Sequence, residues 1–267
     1  MRGVATGAMV TALTELGFKD AFTDVYGASS GLAAALYFVS GQAELGTSIY
    51  YENLTDEKFL SYKRWPFMNI SFLVDEVMRE VKPLDLDAVR ASKTRVYTIL
   101  YTHNCGFTMV WVNNPKYSDD EILNILKASM SLPLFATYKG VEVFGERAFD
   151  SGWYNNLPLL QANLKKPEAS LCLLTSHNFL DASLDRLKPR DYWAFRLLYG
   201  SFIAKLLKEE MNYRGAVVNY IKNNPHQVSH IAPDKNMLSF LARTLQDPEL
   251  LRVAATQMKE ITKKALS

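Results

Sequence analysis

Gly27-Ala28-Ser29-Ser30-Gly31 stands between a short apolar stretch and an uncharged, small-residue-rich one. No other feature constrains the fold as much. Ala21 to Tyr26 is a short strand candidate, and Leu32 to Val39 reads as a buried helix. A strand that enters a G-x-S-x-G turn and leaves as a helix forms a nucleophile elbow, in which glycines keep side chains out of a strained turn. The helix then points its free N–H groups and positive dipole end toward the serine. A Gly/Ser-rich turn that only caps a buried helix, with Ser29 or Ser30 as N-cap, has the same composition.

The rest of the chain agrees with a folded α/β protein. With 267 residues, 48% hydrophobic and 22% charged, it buries a core without disulfide or metal staples, as one large domain or two small ones. Thirty basic against 28 acidic residues give a net charge of +2, without the clustered basic excess of a nucleic-acid binder. Cys105 and Cys172 match no CxxC or zinc spacing, which fits a reducing compartment. The longest uncharged run, Val25 to Ala43, holds Gly27, Ser29, Ser30, Gly31, Ser40, Gly41 and Gln42, too many polar positions for a membrane span. The N-terminus lacks the continuous apolar core of a signal peptide.

Val4, Ala8, Met9, Ala12, Leu13 and Leu16 recur at helical spacing, and Gly17 stands where a helix end takes a left-handed residue. Arg95 to Tyr101 and Phe107 to Val112 read as a strand pair bounded by Asn104 and Gly106. Ser118-Asp119-Asp120-Glu121 is a capping-box pattern ahead of Ile122, Leu123, Ile125 and Leu126. Ala169 to Thr175 is a further buried strand, and from Arg190 onward helices dominate. Strands alternating with helices predict an α/β sandwich with a helical C-terminal third.

A nucleophilic serine needs a base. His103, His177, His226 and His230 are the candidates for a Ser-His-Asp esterase. The fold that carries such a triad sets several strands before its elbow, whereas the serine here arrives at position 29. That early position disfavours the triad.

Four blocks together resemble a known family. Arg2-Gly3 and a small-residue helix precede Gly27-Ala28-Ser29-Ser30-Gly31, and Lys127-Ala128-Ser129-Met130-Ser131-Leu132-Pro133 is similar to an A-S-x-[AS]-x-P block. Phe149-Asp150-Ser151-Gly152 takes the place of a D-G-[GA] motif, followed by Asn155-Asn156-Leu157-Pro158. Their order and spacing resemble the patatin-like phospholipases, and the tail from Ile231-Ala232-Pro233 to the final helix is similar to the bacterial members. The resemblance implies a single domain over residues 1–267. Within it, 1–160 carry the catalytic motifs and 185–267 form a mostly helical part. The implied fold is a three-layer α/β/α sandwich around a mostly parallel sheet.

It also implies a Ser–Asp dyad, with Ser29 as nucleophile, Asp150 as base and an acyl-enzyme between two half-reactions. The implied activity is cleavage of phospholipid or lysophospholipid esters, without cofactor or metal. No acidic loop of calcium-binding spacing is present. The implied partners are an acyl-ester lipid and a membrane surface touched peripherally from the cytoplasm, with no nucleic acid; no oligomeric state follows.

Two departures stand out. Ser151 replaces a glycine after Asp150, with Gly152 one position on. Of the family's G-G-G-x-R-G oxyanion loop only Arg2 and Gly3 remain, so a catalytically impaired lipid-binding or scaffold protein is the alternative. Met1 falls on the x of that loop. The resemblance therefore implies a preceding strand and glycine-rich turn of roughly ten or more residues.

A lipid-facing surface has one candidate helix. Tyr192, Phe195, Tyr199, Phe202 and Leu206 form a stripe widened by Trp193, Leu197, Leu198 and Ile203, with Arg190, Arg196, Lys205 and Lys208 around it. The same pattern suits a helix that covers the core. Tyr62 to Val74, with Trp65, Phe67, Met68 and Phe72, lines an acyl pocket or belongs to the core.

Overall fold

The computed structural model describes residues 2–102, 104–152, 157–181, 189–235, 237 and 246–267. Helix α1 (Gly3–Glu15) is buried on all sides along most of its length, which explains why its residues are small and uncharged. It packs against α2 (Ser30–Val39), α3 (Ala43–Glu52) and α8 (Pro248–Leu266). Gly17 (φ 81°) ends it as the sequence predicts, with Phe18 N–H bonded to Leu13 O and Gly17 N–H to Thr14 O.

The sheet is organised around β2 (Arg95–Thr102), buried at every position after Arg95. Strand β1 (Asp24–Tyr26) pairs with it in parallel, Tyr26 opposite Tyr97. Strand β5 (Glu146–Asp150) continues along the same edge antiparallel, Leu100 opposite Asp150. Strand β3 (Gly106–Trp111) covers the other edge, and β4 (Val141–Val143) extends the sheet beyond β5. This sheet is mixed where a mostly parallel one is expected from the resemblance. The reason is the connections: β2–β3 and β4–β5 are hairpins, and only antiparallel strands close over turns that short. Phe144 (φ 53°) and Gly145 (φ 77°) make the tight turn of the second hairpin.

The side chains of β2 alternate between two helical layers. Thr98 reaches Ser129 on α5 (Asp119–Met130), whose N-terminus carries the expected capping box from Ser118 and Glu121. On the opposite face the Tyr101 and Phe149 rings meet Phe202 of α7 (Pro189–Asn223) at 5.3 and 5.2 Å. Helices thus flank both faces of the sheet. A second, parallel sheet joins β6 (Ser170–Leu173) to β7 (Val228–Ile231), with Cys172 and Val228 in one cluster with Leu159 of α6 (Leu159–Asn163) and Val217, Val218 and Ile221 of α7.

The aromatic stripe of α7 divides at Gly200, where φ 85° and ψ 166° break the helix. After the break Ile203 and Leu206 are buried, so that half covers the core. Before it Trp193 and Leu197 are exposed, with Arg196 stacked 5.0 Å from the Trp193 ring. The side chains of Arg190, Phe195, Leu198 and Tyr199 lie outside the described residues. The segment Tyr62 to Val74 runs into a π-helix (Phe72–Val81), and short α4 (Leu86–Ala91) leads into β2.

Candidate active site

Strand β1 ends at Tyr26 and α2 begins at Ser30, so the G-x-S-x-G turn occupies the junction between them. Gly27 N–H bonds Tyr97 O at 2.9 Å and continues the β1–β2 ladder into the turn. Ser29 holds φ 54° and ψ −130°, a conformation that side chains rarely adopt. Its N–H donates to the Ser129 hydroxyl at 2.9 Å. A Cβ on Gly27 would come within 2.5 Å of Gly31 O, so strand end and helix start touch through backbone alone. Gly31 has open space around it.

Two helices point their N-termini at this turn. Gly3, in the first turn of α1, lies so close that a Cβ there would sit 2.7 Å from the Ser30 Cβ and also strike the Tyr50 phenol. The Ser30 and Gly3 N–H groups belong to the first turns of α2 and α1 and have no intrahelical acceptor. Both dipoles favour negative charge there. Tyr50 joins the group by a hydrogen bond to Ser30, and burial pushes its phenol up to about 12. Sequence patterns gave no signal for Tyr50, and Ser129 was visible only as part of the A-S-x-S block.

Asp150, the last residue of β5, is 2% exposed. Its N–H bonds Ser131 O at 3.1 Å, and its Oδ1 accepts the Gly152 N–H at 2.7 Å. Ser151 is fully buried and does not line the cavity, so its side chain packs away from the space in front of Asp150. Arg2, Gly3, Gly27, Ala28, Ser29, Ser30, Gly31, Asp150 and Gly152 all line one cavity of about 1210 Å³. That exceeds the range of about 300–1,000 Å³ typical of small-molecule sites. Its walls are largely apolar, from Leu13, Phe38, Leu60, Met68, Ile70 and Leu73 among others. The cavity extends between β1 and β6, and among the described residues β1 pairs only with β2 and β6 only with β7.

No histidine lines the cavity among the described residues. His226 and His230 are exposed near β7, and His177 follows β6. His103 and Asn155-Asn156 lie outside the described residues. Among the described residues no three His, Cys, Asp or Glu side chains group as metal ligands.

The sequence model of the patatin-like phospholipases matches residues 1–163, more than half of the chain and the part that holds Ser29 and Asp150. The chain belongs to the patatin-like phospholipase family. No curated protein matches it. Family membership supports a lipid acyl hydrolase, and the protein has a patatin-like α/β fold with a helical C-terminal part. Among the described residues no helix is long and apolar enough to cross a membrane.

Proposed function

We propose that this protein hydrolyses phospholipid or lysophospholipid acyl esters through a Ser29–Asp150 dyad. The observation that carries this is the strained turn at Ser29, opening at the N-terminus of α2 into the cavity that Asp150 also lines. Strain of that kind persists only where surrounding contacts hold it, and here Ser129 and Gly27 supply them. Asp150 accepts the proton of Ser29 Oγ as the oxygen attacks the ester carbonyl; the tetrahedral intermediate collapses and expels the alcohol, which takes that proton. Water, deprotonated by Asp150, then cleaves the acyl-enzyme and frees the fatty acid. The Ser30 and Gly3 N–H groups, at the two converging helix ends, are the donors we assign to the oxyanion; each such donor contributes about 100- to 1,000-fold in rate in other hydrolases. The apolar walls hold the acyl chain.

Fatty-acid release from phosphatidylcholine and lysophosphatidylcholine tests the assignment. Ser29→Ala and Asp150→Asn each abolish release, while single replacement of His103, His177, His226 or His230 leaves it. An essential histidine would replace the dyad by a triad. A folded parent that binds these lipids without releasing fatty acid would instead identify a lipid-binding scaffold.

A further inference from the structure

Two loops meet at one rim of the cavity. Leu60 and Met68 bridge across the first loop, and Pro133 and Thr137 across the second. Met68 N–H bonds Phe135 O at 3.1 Å, and Trp65 Nε1 bonds Leu134 O at 3.1 Å, so the loops are tied together. Below the junction Leu60, Met68, Leu132 and Phe135 line the cavity. Above it three aromatic rings stand in solvent: Tyr62, Trp65 and Tyr138, 60%, 47% and 62% exposed. Trp65 and Tyr138 stack with ring centres 4.3 Å apart, and Tyr62 packs on Phe67, which packs on Phe135. Tyr62 belongs to both sets, being exposed and lining the cavity.

Charge surrounds this platform. Lys58, Arg64 and Lys139 have no carboxylate partner among the described residues, while Lys63 is paired with Glu57. Arg64 donates to the carbonyls of Glu57 and Lys58 at 2.7 and 2.6 Å, which orients its guanidinium without neutralising it. Asp56 is the other acidic group of the loop, and Lys58 N–H donates to it. Amphipathic rings with cations beside them suit the boundary between anionic headgroups and acyl chains. The position is decisive: a chain leaving a bilayer under this platform passes Tyr62 directly into an apolar cavity.

We propose that Tyr62, Trp65 and Tyr138, with Lys58, Arg64 and Lys139, form an interfacial binding surface that seats the protein on anionic lipid and delivers the acyl chain into the cavity. The surface rests on the acyl-hydrolase reading for its purpose and on its own geometry for its existence. The test is co-sedimentation of the full chain with vesicles of phosphatidylglycerol mixed with phosphatidylcholine, beside vesicles of phosphatidylcholine alone. The parent partitions onto the anionic vesicles, more weakly at high salt. Trp65→Ala/Tyr138→Ala lowers partitioning at least tenfold. Lys139→Glu, a change at an exposed loop position, lowers it at least about fivefold, since one basic residue near an anionic surface counts for roughly that factor. Turnover of a water-soluble short-chain ester, which needs no interface, stays at the parental rate in both variants. Partitioning unchanged in Lys139→Glu and the double variant overturns the surface, as does a parent that ignores anionic vesicles. Vesicle binding without ester turnover in the parent defeats the hydrolase reading and leaves the surface standing.

Discussion

The Ser29 N–H donates to the Ser129 hydroxyl at 2.9 Å, joining residues 100 positions apart. Ser129 is fully buried on α5 and also bonds Thr98 Oγ1 of β2 at 3.2 Å. One hydroxyl thereby ties the turn, the central strand and the helix beneath them.

Ser129→Ala leaves the Ser29 amide and the Thr98 hydroxyl without that partner. A buried group so orphaned costs about 1–3 kcal/mol. The expected outcome is a folded protein with a lower melting temperature and a larger loss of turnover than of stability, because the strained turn relaxes. Equal turnover in parent and variant would show that the turn holds itself.

The two glycines of the turn differ in what they tolerate. A Cβ at Gly27 meets Gly31 O at 2.5 Å and Leu32 N at 2.7 Å, backbone atoms that cannot step aside. Gly27→Ala is expected to cost about 3 kcal/mol or more, or to prevent folding. A Cβ at Gly31 meets nothing within 4 Å, and Gly31 lies in α2, where alanine is better than glycine by about 1 kcal/mol. Thermal unfolding of Gly31→Ala should occur at or above the parental temperature.

What could be read from sequence was local. The capping box at Ser118, the C-terminal Gly17 and the strand–turn–helix around Ser29 are each decided by neighbours in the chain, and the structure contains them. Long-range pairing was hidden. Nothing near Glu146 to Asp150 shows that β5 runs antiparallel to β2, because that follows from hairpins and from the shared edge with β1. Tyr50 was equally invisible, since it meets Gly3 and Ser30 only after α1, α2 and α3 pack. The stripe on α7 reads as one surface in the sequence, but Gly200 breaks the helix, and only the part after it, with Ile203 and Leu206 buried, is shown to cover the core.

The two cysteines should behave as different chemicals. Cys105 is exposed, whereas Cys172 is buried and burial pushes its thiol up to about 12. Only the thiolate attacks a disulfide reagent. Titration at neutral pH should modify Cys105 alone in the native protein and both residues after denaturation. Rapid native modification of Cys172 would contradict the packing of β6.

Alkaline pH should unfold the protein through its buried phenols. Burial pushes Tyr50 and Tyr101 up to about 12 from 10.0, with the Glu209 charge assisting at Tyr101. Between those pH values the unfolded chain has released protons that the folded chain keeps, so stability falls as pH rises. It is fully present below pH 10 and is lost on passing through about 12. Tyrosinate absorbance should therefore rise together with the loss of helical circular dichroism. Ionisation of these phenols near pH 10 in a fully folded protein would refute it.

Labelling with a fluorophosphonate, followed by mass mapping of the adduct, tests the nucleophile most directly. The reagent needs an activated serine oxygen with oxyanion donors beside it, and an inert N-cap serine does not react. The expected result is one adduct, on Ser29, absent from Ser29→Ala and slowed at least 100-fold in Asp150→Asn, on the order of a lost general base. A folded parent that stays unlabelled, or an adduct that persists in Ser29→Ala, would contradict the account.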